Sequence, residues 1–131
     1  MPKTSILLYQ EKEGDSPIVD WLCELKKTNR KGFAQCVGRI SQLESTGYEL
    51  RRPSADYLQD GIYELRAKHL KVQYRIFYFF HGQNVAILSH GIIKEQSAVP
   101  DSEIEQAIRR KQKFIENPEA HTYQGAMLDN G

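Results

Sequence analysis

The chain has 131 residues, 40% of them hydrophobic and 27% charged, which is enough to bury one core without metal or disulfide support. Its formal charge of +1 excludes a domain that binds nucleic acid over its whole surface, because such domains carry a strong basic excess. No stretch approaches the roughly 20 apolar residues of a membrane-crossing helix, and Met1-Pro2-Lys3-Thr4 runs into a strand-like segment rather than the apolar region of a signal peptide. A single cytoplasmic domain over residues 1–117 is expected.

Thr4 to Gln10 reads as a first strand. Asp15-Ser16-Pro17 is a helix start: a capping side chain, then a proline whose missing N–H costs nothing in the first turn. Ile18, Leu22 and Leu25 recur at helical spacing to about Thr28, and a second helix from about Arg30 carries Phe33, Cys36, Val37, Ile40 and Leu43 as its apolar stripe, with Gly47 as terminator. The two helices make a hairpin. Cys23 and Cys36 sit one on each, near apolar neighbours, and are expected as buried free thiols rather than a metal or catalytic pair.

Tyr48 to Asp60, with Pro53 and little periodicity, reads as a connecting loop. Three strands follow, at about Ile62 to Lys68, Val72 to Phe80 and Asn84 to Ile92, joined by tight connections at His69-Leu70 and His81-Gly82-Gln83. Sequential hairpins imply an antiparallel sheet of about four strands. After Pro100, Asp101 and Ser102 offer a cap, and Ile104, Ala107, Ile108 and Ile115 form one face of a last helix that ends at Pro118. Residues 118–131 lack an apolar pattern and are expected to form a flexible tail. The fold class is therefore α+β.

The charges are unevenly placed. From Arg66 to Lys94 the chain carries Arg66, Lys68, Lys71, Arg75 and Lys94 with no acidic residue, whereas Glu11, Glu13, Asp15 and Asp20 crowd the N-terminal third. Period-two alternation puts Tyr63, Leu65, Val72, Tyr74, Ile76, Tyr78, Val85 and Ile87 on one side, and Glu64, Arg66, Gln73, Arg75, Leu88 and His90 on the other. With the shortest turns Glu64 opposes Arg75, Arg66 opposes Gln73, and Arg75 lies near His90. Helices on the Tyr/Leu/Ile side would leave Arg66, Arg75 and His90 on an open concave surface, with Lys94 just past the strand's end.

Two guanidinium forks on neighbouring strands suit a phosphate, because each can hold non-bridging oxygens in bidentate fashion. On spacing alone, a plain cross-strand ion pair between Glu64 and Arg75 is the commoner arrangement. His90 fits a satisfied strand histidine or a proton-transfer group, and His69 and His81 fall in turns. Tyr74, Phe77, Tyr78 and Phe79 suit sheet packing more often than base stacking, and Arg109, Arg110, Lys111 and Lys113 make a basic helix face. The four histidines and two cysteines show no metal-ligand spacing, and no Gly-rich phosphate loop is present. No metal or cofactor is expected.

The run Gly61-Ile62-Tyr63-Glu64-Leu65-Arg66, then Tyr74-Arg75-Ile76-Phe77-Tyr78, then Leu88-Ser89-His90-Gly91-Ile92-Ile93-Lys94, then Pro100, Ile104 and Ala107, resembles the phage-derived, HigB-like branch of the RelE/ParE toxin superfamily over roughly residues 55–115. One departure is Glu95, where the pattern often has a second basic residue after Lys94. The resemblance implies a small RelE-like fold, with an antiparallel sheet on an N-terminal helical hairpin plus a C-terminal helix. It also implies the toxin of a type II toxin-antitoxin pair, acting as a ribosome-dependent, metal-independent mRNA endoribonuclease that uses the RNA 2′-hydroxyl as nucleophile. Carried onto this chain, Arg66 and Arg75 would bind phosphate, Lys94 or His90 would assist proton transfer, and Lys68, Lys71 and Gln73 would contact RNA. The implied partners are a helix-turn-helix, HigA-like antitoxin, the ribosome and mRNA. A ParE-like inhibitor that binds DNA gyrase, or a catalytically decayed antitoxin-binding module, shares the fold and stays open.

Overall fold

The computed structural model describes residues 3–95 and 97–125. They form five strands, β1 (Ser5–Leu8), β2 (Ala55–Gln59), β3 (Ile62–His69), β4 (Val72–Phe80) and β5 (Val85–Lys94), and three α-helices, α1 (Pro17–Thr28), α2 (Arg30–Thr46) and α3 (Asp101–Glu116). The α+β class holds. The sheet, in the order β1-β5-β4-β3-β2, has one strand more than expected and is mixed, because β1 runs parallel to β5 while the other pairs are antiparallel.

Local chemistry explains the helix boundaries. The Ser16 hydroxyl accepts from the Val19 amide at 3.3 Å and donates to the Tyr9 carbonyl at 2.6 Å, so one side chain caps α1 and ties it to the end of β1. Asn29 closes α1 and accepts from the Gly32 amide at 2.9 Å to open α2. Gly47, at φ 70°, ends α2 in a conformation that disfavours other side chains. The cap of α3 differs from expectation: Pro100 occupies that position and provides no side-chain bond, and Asp101 is already helical.

Helices cover both faces of the sheet, which corrects the expectation of one open face. Ile18, Leu22 and Leu25 of α1 and Cys36, Ile40 and Leu43 of α2 pack on Tyr63, Leu65, Tyr74, Ile76, Tyr78 and Leu88. On the other side Ala107 and Phe114 of α3 pack on Ile62, Phe77, Phe79 and Ile87. Ile115, expected in that stripe, is 54% exposed. The expected four aromatics of β4 are all in these cores, with no ring face free for a base. Cys36 is buried, and burial pushes its thiol up to about 12. Cys23 lies exposed on the outer side of α1, contrary to the expectation for it.

Register decides which side chains meet. The β3–β4 turn is Leu70-Lys71, with Leu70 at φ 56°, so His69 pairs with Val72 and Arg66 lies directly opposite Arg75. This is a two-residue shift from the expected register, and an even shift keeps every side chain on its face. A bulge between β4 and β5 moves Leu88 opposite Tyr78 and His90 opposite Phe77. Its extra residue, Ser89, reverses the alternation, which is why Val85 and Ile87 face α3 and Leu88 faces the helical hairpin, opposite to the period-two assignment. β5 also runs on to Lys94, which pairs across from Gln73 inside the ladder.

The segment after Pro118 was expected to be a free tail. Its described part bonds to the N-terminal strand: Tyr123 donates its amide to the Leu8 carbonyl at 2.8 Å, Gln10 donates to the His121 carbonyl at 3.0 Å, and the His121 ring stacks on Tyr9. Residues 126–131 lie outside the described residues.

Candidate functional site

α3 covers only the half of its sheet face that carries Phe77, Phe79 and Ile87. On the other half the ladder aligns Arg66 with Arg75 and Ile92, and the next row aligns Lys68 with Gln73 and Lys94. The hairpin turn beyond holds Lys71, exposed. Arg66, Arg75, Lys68 and Lys94 thus share one end of one face, with Lys71 beyond it in the turn. Like charges directly opposite across a ladder repel, and Glu64, one alternation back on β3, relieves this. Its Oε1 lies 3.4 Å from Arg75 Nε and its Oε2 lies 3.7 Å from Arg66 Nε.

The two arginines are not equivalent forks. Arg75 has a side chain only 3% exposed; its Nη2 donates to Gln73 Oε1 at 2.9 Å and its Nη1 to the Tyr74 carbonyl at 3.1 Å. Arg66, with a side chain 31% exposed, is the more accessible of the two. Glu64 Oε1 and Arg75 Nε are buried without a hydrogen-bond partner among the described residues, so the pair is held by Coulomb attraction at a distance too long for a good bond. Burial raises the Glu64 carboxyl above the usual carboxylate range, with Arg75 and then Arg66 pulling it back. Burial likewise lowers the Arg75 guanidinium, against the pull of Glu64.

A cavity of about 300 Å³ opens here, lined by Arg39, Pro53, Arg66, Ala67, Lys68, Gln73 and Arg75. It brings together Arg66, Arg75, Lys68 and Gln73 and adds Arg39, whose sequence signal was only a charge on the polar side of α2. Lys94, although on the same face, borders a separate hollow of about 440 Å³ with Trp21, Glu95 and Glu103.

His90 stands apart. Its ring lies over Phe77 at 4.9 Å, Nε2 is 2.9 Å from Glu103 Oε1 on α3, and Nδ1 is 2.9 Å from the Ser89 hydroxyl. Burial lowers its pKa first and the Arg110 charge second, against Glu103. The network assigns a neutral ring, donating from Nε2 to Glu103 and accepting at Nδ1 from Ser89. Sequence reading missed Glu103 as its partner, because no spacing rule links a β-strand to a helix thirteen residues on.

The basic helix face is largely tied down. Arg110 and Lys113 pair with Glu11 at 2.8 and 3.1 Å, Lys111 reaches the Asp60 carbonyl at 3.0 Å, and Arg109 bonds Gln106. Another hollow, about 810 Å³, is lined by Glu11, Lys12, Glu13 and Glu119 among others, and its excess of carboxylates disfavours an anion. Among the described residues no three His, Cys, Asp or Glu side chains gather as a metal site would need. None of the described helices is long and apolar enough to cross a membrane.

The end of the sheet that α3 leaves uncovered thus concentrates guanidinium and ammonium groups beside one small cavity. The family described as Phage derived protein Gp49-like (DUF891) matches residues 20–112, most of the chain. The chain belongs to this Gp49-like family, which is a RelE/ParE-like toxin family and a toxin-like module of toxin-antitoxin systems. An antitoxin partner follows from that membership. No curated protein matches the chain.

Proposed function

We propose that the protein is the toxin of a HigB-like type II pair and cleaves mRNA on the ribosome, in the cytoplasm, without a metal. The observation that carries this reading is the cavity where half-exposed Arg66 sits directly opposite buried Arg75, with Lys68 and Gln73 on the same wall. Arg66 grips a non-bridging phosphate oxygen, and Arg75 adds a fixed positive field from beneath. Lys68, Gln73 and Lys71 at the rim hold the flanking backbone. The ribose 2′-hydroxyl attacks the adjacent phosphorus, the bond to the 5′ oxygen breaks, and a cyclic phosphate and a free 5′-hydroxyl result. Lys94 neutralises charge or moves a proton at the edge of the site. We assign His90 a positioning role, through its bond to Glu103 on α3. A HigA-like helix-turn-helix antitoxin would restrain the toxin until released.

Two carboxylates favour a second reading. Glu64 already lies between both guanidiniums, and Glu95 follows Lys94, as expected of a decayed module that only binds antitoxin. Induced expression of the unaltered protein and of Arg66→Gln, with mapping of message ends, separates the readings. Cuts within coding regions from the unaltered protein, reduced at least about tenfold in the variant as for loss of a transition-state donor, support the nuclease. Intact messages with broken DNA would point to a ParE-like gyrase inhibitor, and unimpaired growth to a decayed module.

A further inference from the structure

The cavity is walled on one side by a residue from the opposite layer of the molecule. β2 pairs with β3 only from Ala55 opposite Leu65, and the last bond of that ladder runs from the Arg66 amide to the Ser54 carbonyl at 2.8 Å. Beyond it the edge of β3 is open. Arg39, on α2 beneath the other face, reaches round this edge and donates Nε to the Arg66 carbonyl at 2.8 Å, while its Nη1 donates to Gln42 Oε1 at 3.0 Å. Two of the five guanidinium donors are thus used to fix the fork at the cavity wall it lines with Arg66, Lys68 and Arg75.

We propose that Arg39 forms a second phosphate subsite, so that single-stranded RNA crosses the open β3 edge with one phosphate at Arg66 and the neighbouring one at Arg39. The inference rests on the RNA-binding reading of the cavity. It predicts that the binding track continues from the sheet towards α2, away from Lys94.

The test is the salt dependence of binding of a fluorescent 2′-O-methylated octauridylate, which cannot be cleaved, to the full chain. Each phosphate contact to a single strand contributes a slope of about −0.7 in log K against log salt. Arg39→Gln and Arg66→Gln should each lower the slope magnitude by about 0.7, equivalent to about 2.5-fold less affinity lost between 50 and 200 mM salt. Arg39→Lys, which keeps the charge, should restore the slope, and thermal melting of each variant confirms folding. An unchanged slope in Arg39→Gln beside a reduced one in Arg66→Gln would overturn this inference and leave the RNA reading standing. No binding by the unaltered protein at 25 mM salt would overturn both.

Discussion

Glu64 is the residue on which the basic end of the sheet depends. It keeps two opposed arginines on one face, at the cost of burying a carboxylate whose Oε1 has no hydrogen-bond donor. Breaking such a pair by removing one partner leaves an uncompensated charge, so Arg75→Met should lower the unfolding free energy by about 3–5 kcal/mol, and Arg75→Met with Glu64→Leu should recover most of the loss. Denaturant titration of the two variants checks this; a double variant no more stable than the single would refute it. The consequence for function is that a dead Arg75 variant says little unless its folding is known, whereas Arg66, half-exposed, can be altered cleanly. His90 gives a pH signature. Its folded pKa is held below the ordinary histidine value by burial and Arg110, so the unfolded chain binds more protons as pH falls below that ordinary value. The contribution of His90 is full above it and is lost as pH falls towards the folded value. His90→Gln, which keeps a donor for Glu103, should therefore lose less stability between pH 7 and 5 than the unaltered protein. An equal loss would show that other groups govern that window.

At the scale of elements, glycines and the bulge position the site. A Cβ on Gly91 would lie 2.4 Å from the Trp21 ring of α1, whereas one on Gly38, in the interior of α2, would meet nothing within 4 Å. Gly38→Ala should stabilise by about 0.5–1 kcal/mol through helix propensity, and Gly91→Ala should destabilise because the indole must move. Thermal melts that rank the two variants the other way would contradict this packing. α3 is held by Phe114 against Phe79 and His81, and Phe114→Ala should cost about 3–5 kcal/mol. Much of this layer was legible in the chain. Ser16-Pro17 and Gly47 mark helix boundaries, and the shared face of Glu64, Arg66, Gln73 and Arg75 is kept because a two-residue register shift leaves every side chain on its own side. What escaped has physical causes. β2 is a five-residue edge strand, bulged and short, with no periodic signal. The parallel β1–β5 pair joins residues some eighty apart, and sequence adjacency says nothing of it. Ser89, a residue with no bulge signature of its own, reverses the alternation, so Leu88, Val85 and Ile87 lie on the sides opposite to a strict period-two assignment. Arg39 comes to the cavity over a sheet edge that no spacing rule describes.

For the whole molecule, family membership sets the role as a toxin module, and the distribution of charge is the basis of the site proposed for it. A chain with a net charge of +1 gathers Arg66, Lys68, Arg75 and Lys94 at one end of one sheet face and pairs Arg110 and Lys113 of α3 with Glu11. In the proposed mechanism Arg66 holds the scissile phosphate for attack by the neighbouring 2′-hydroxyl. The most direct measurement is cleavage of a short message on purified ribosomes by the unaltered protein and by Arg66→Gln, with chemical identification of the new ends. Fragments bearing a 2′,3′-cyclic phosphate and a 5′-hydroxyl, formed by the unaltered protein and scarcely by the variant, are predicted. Equal cleavage by both proteins, or ends bearing a 5′-phosphate, would contradict the account.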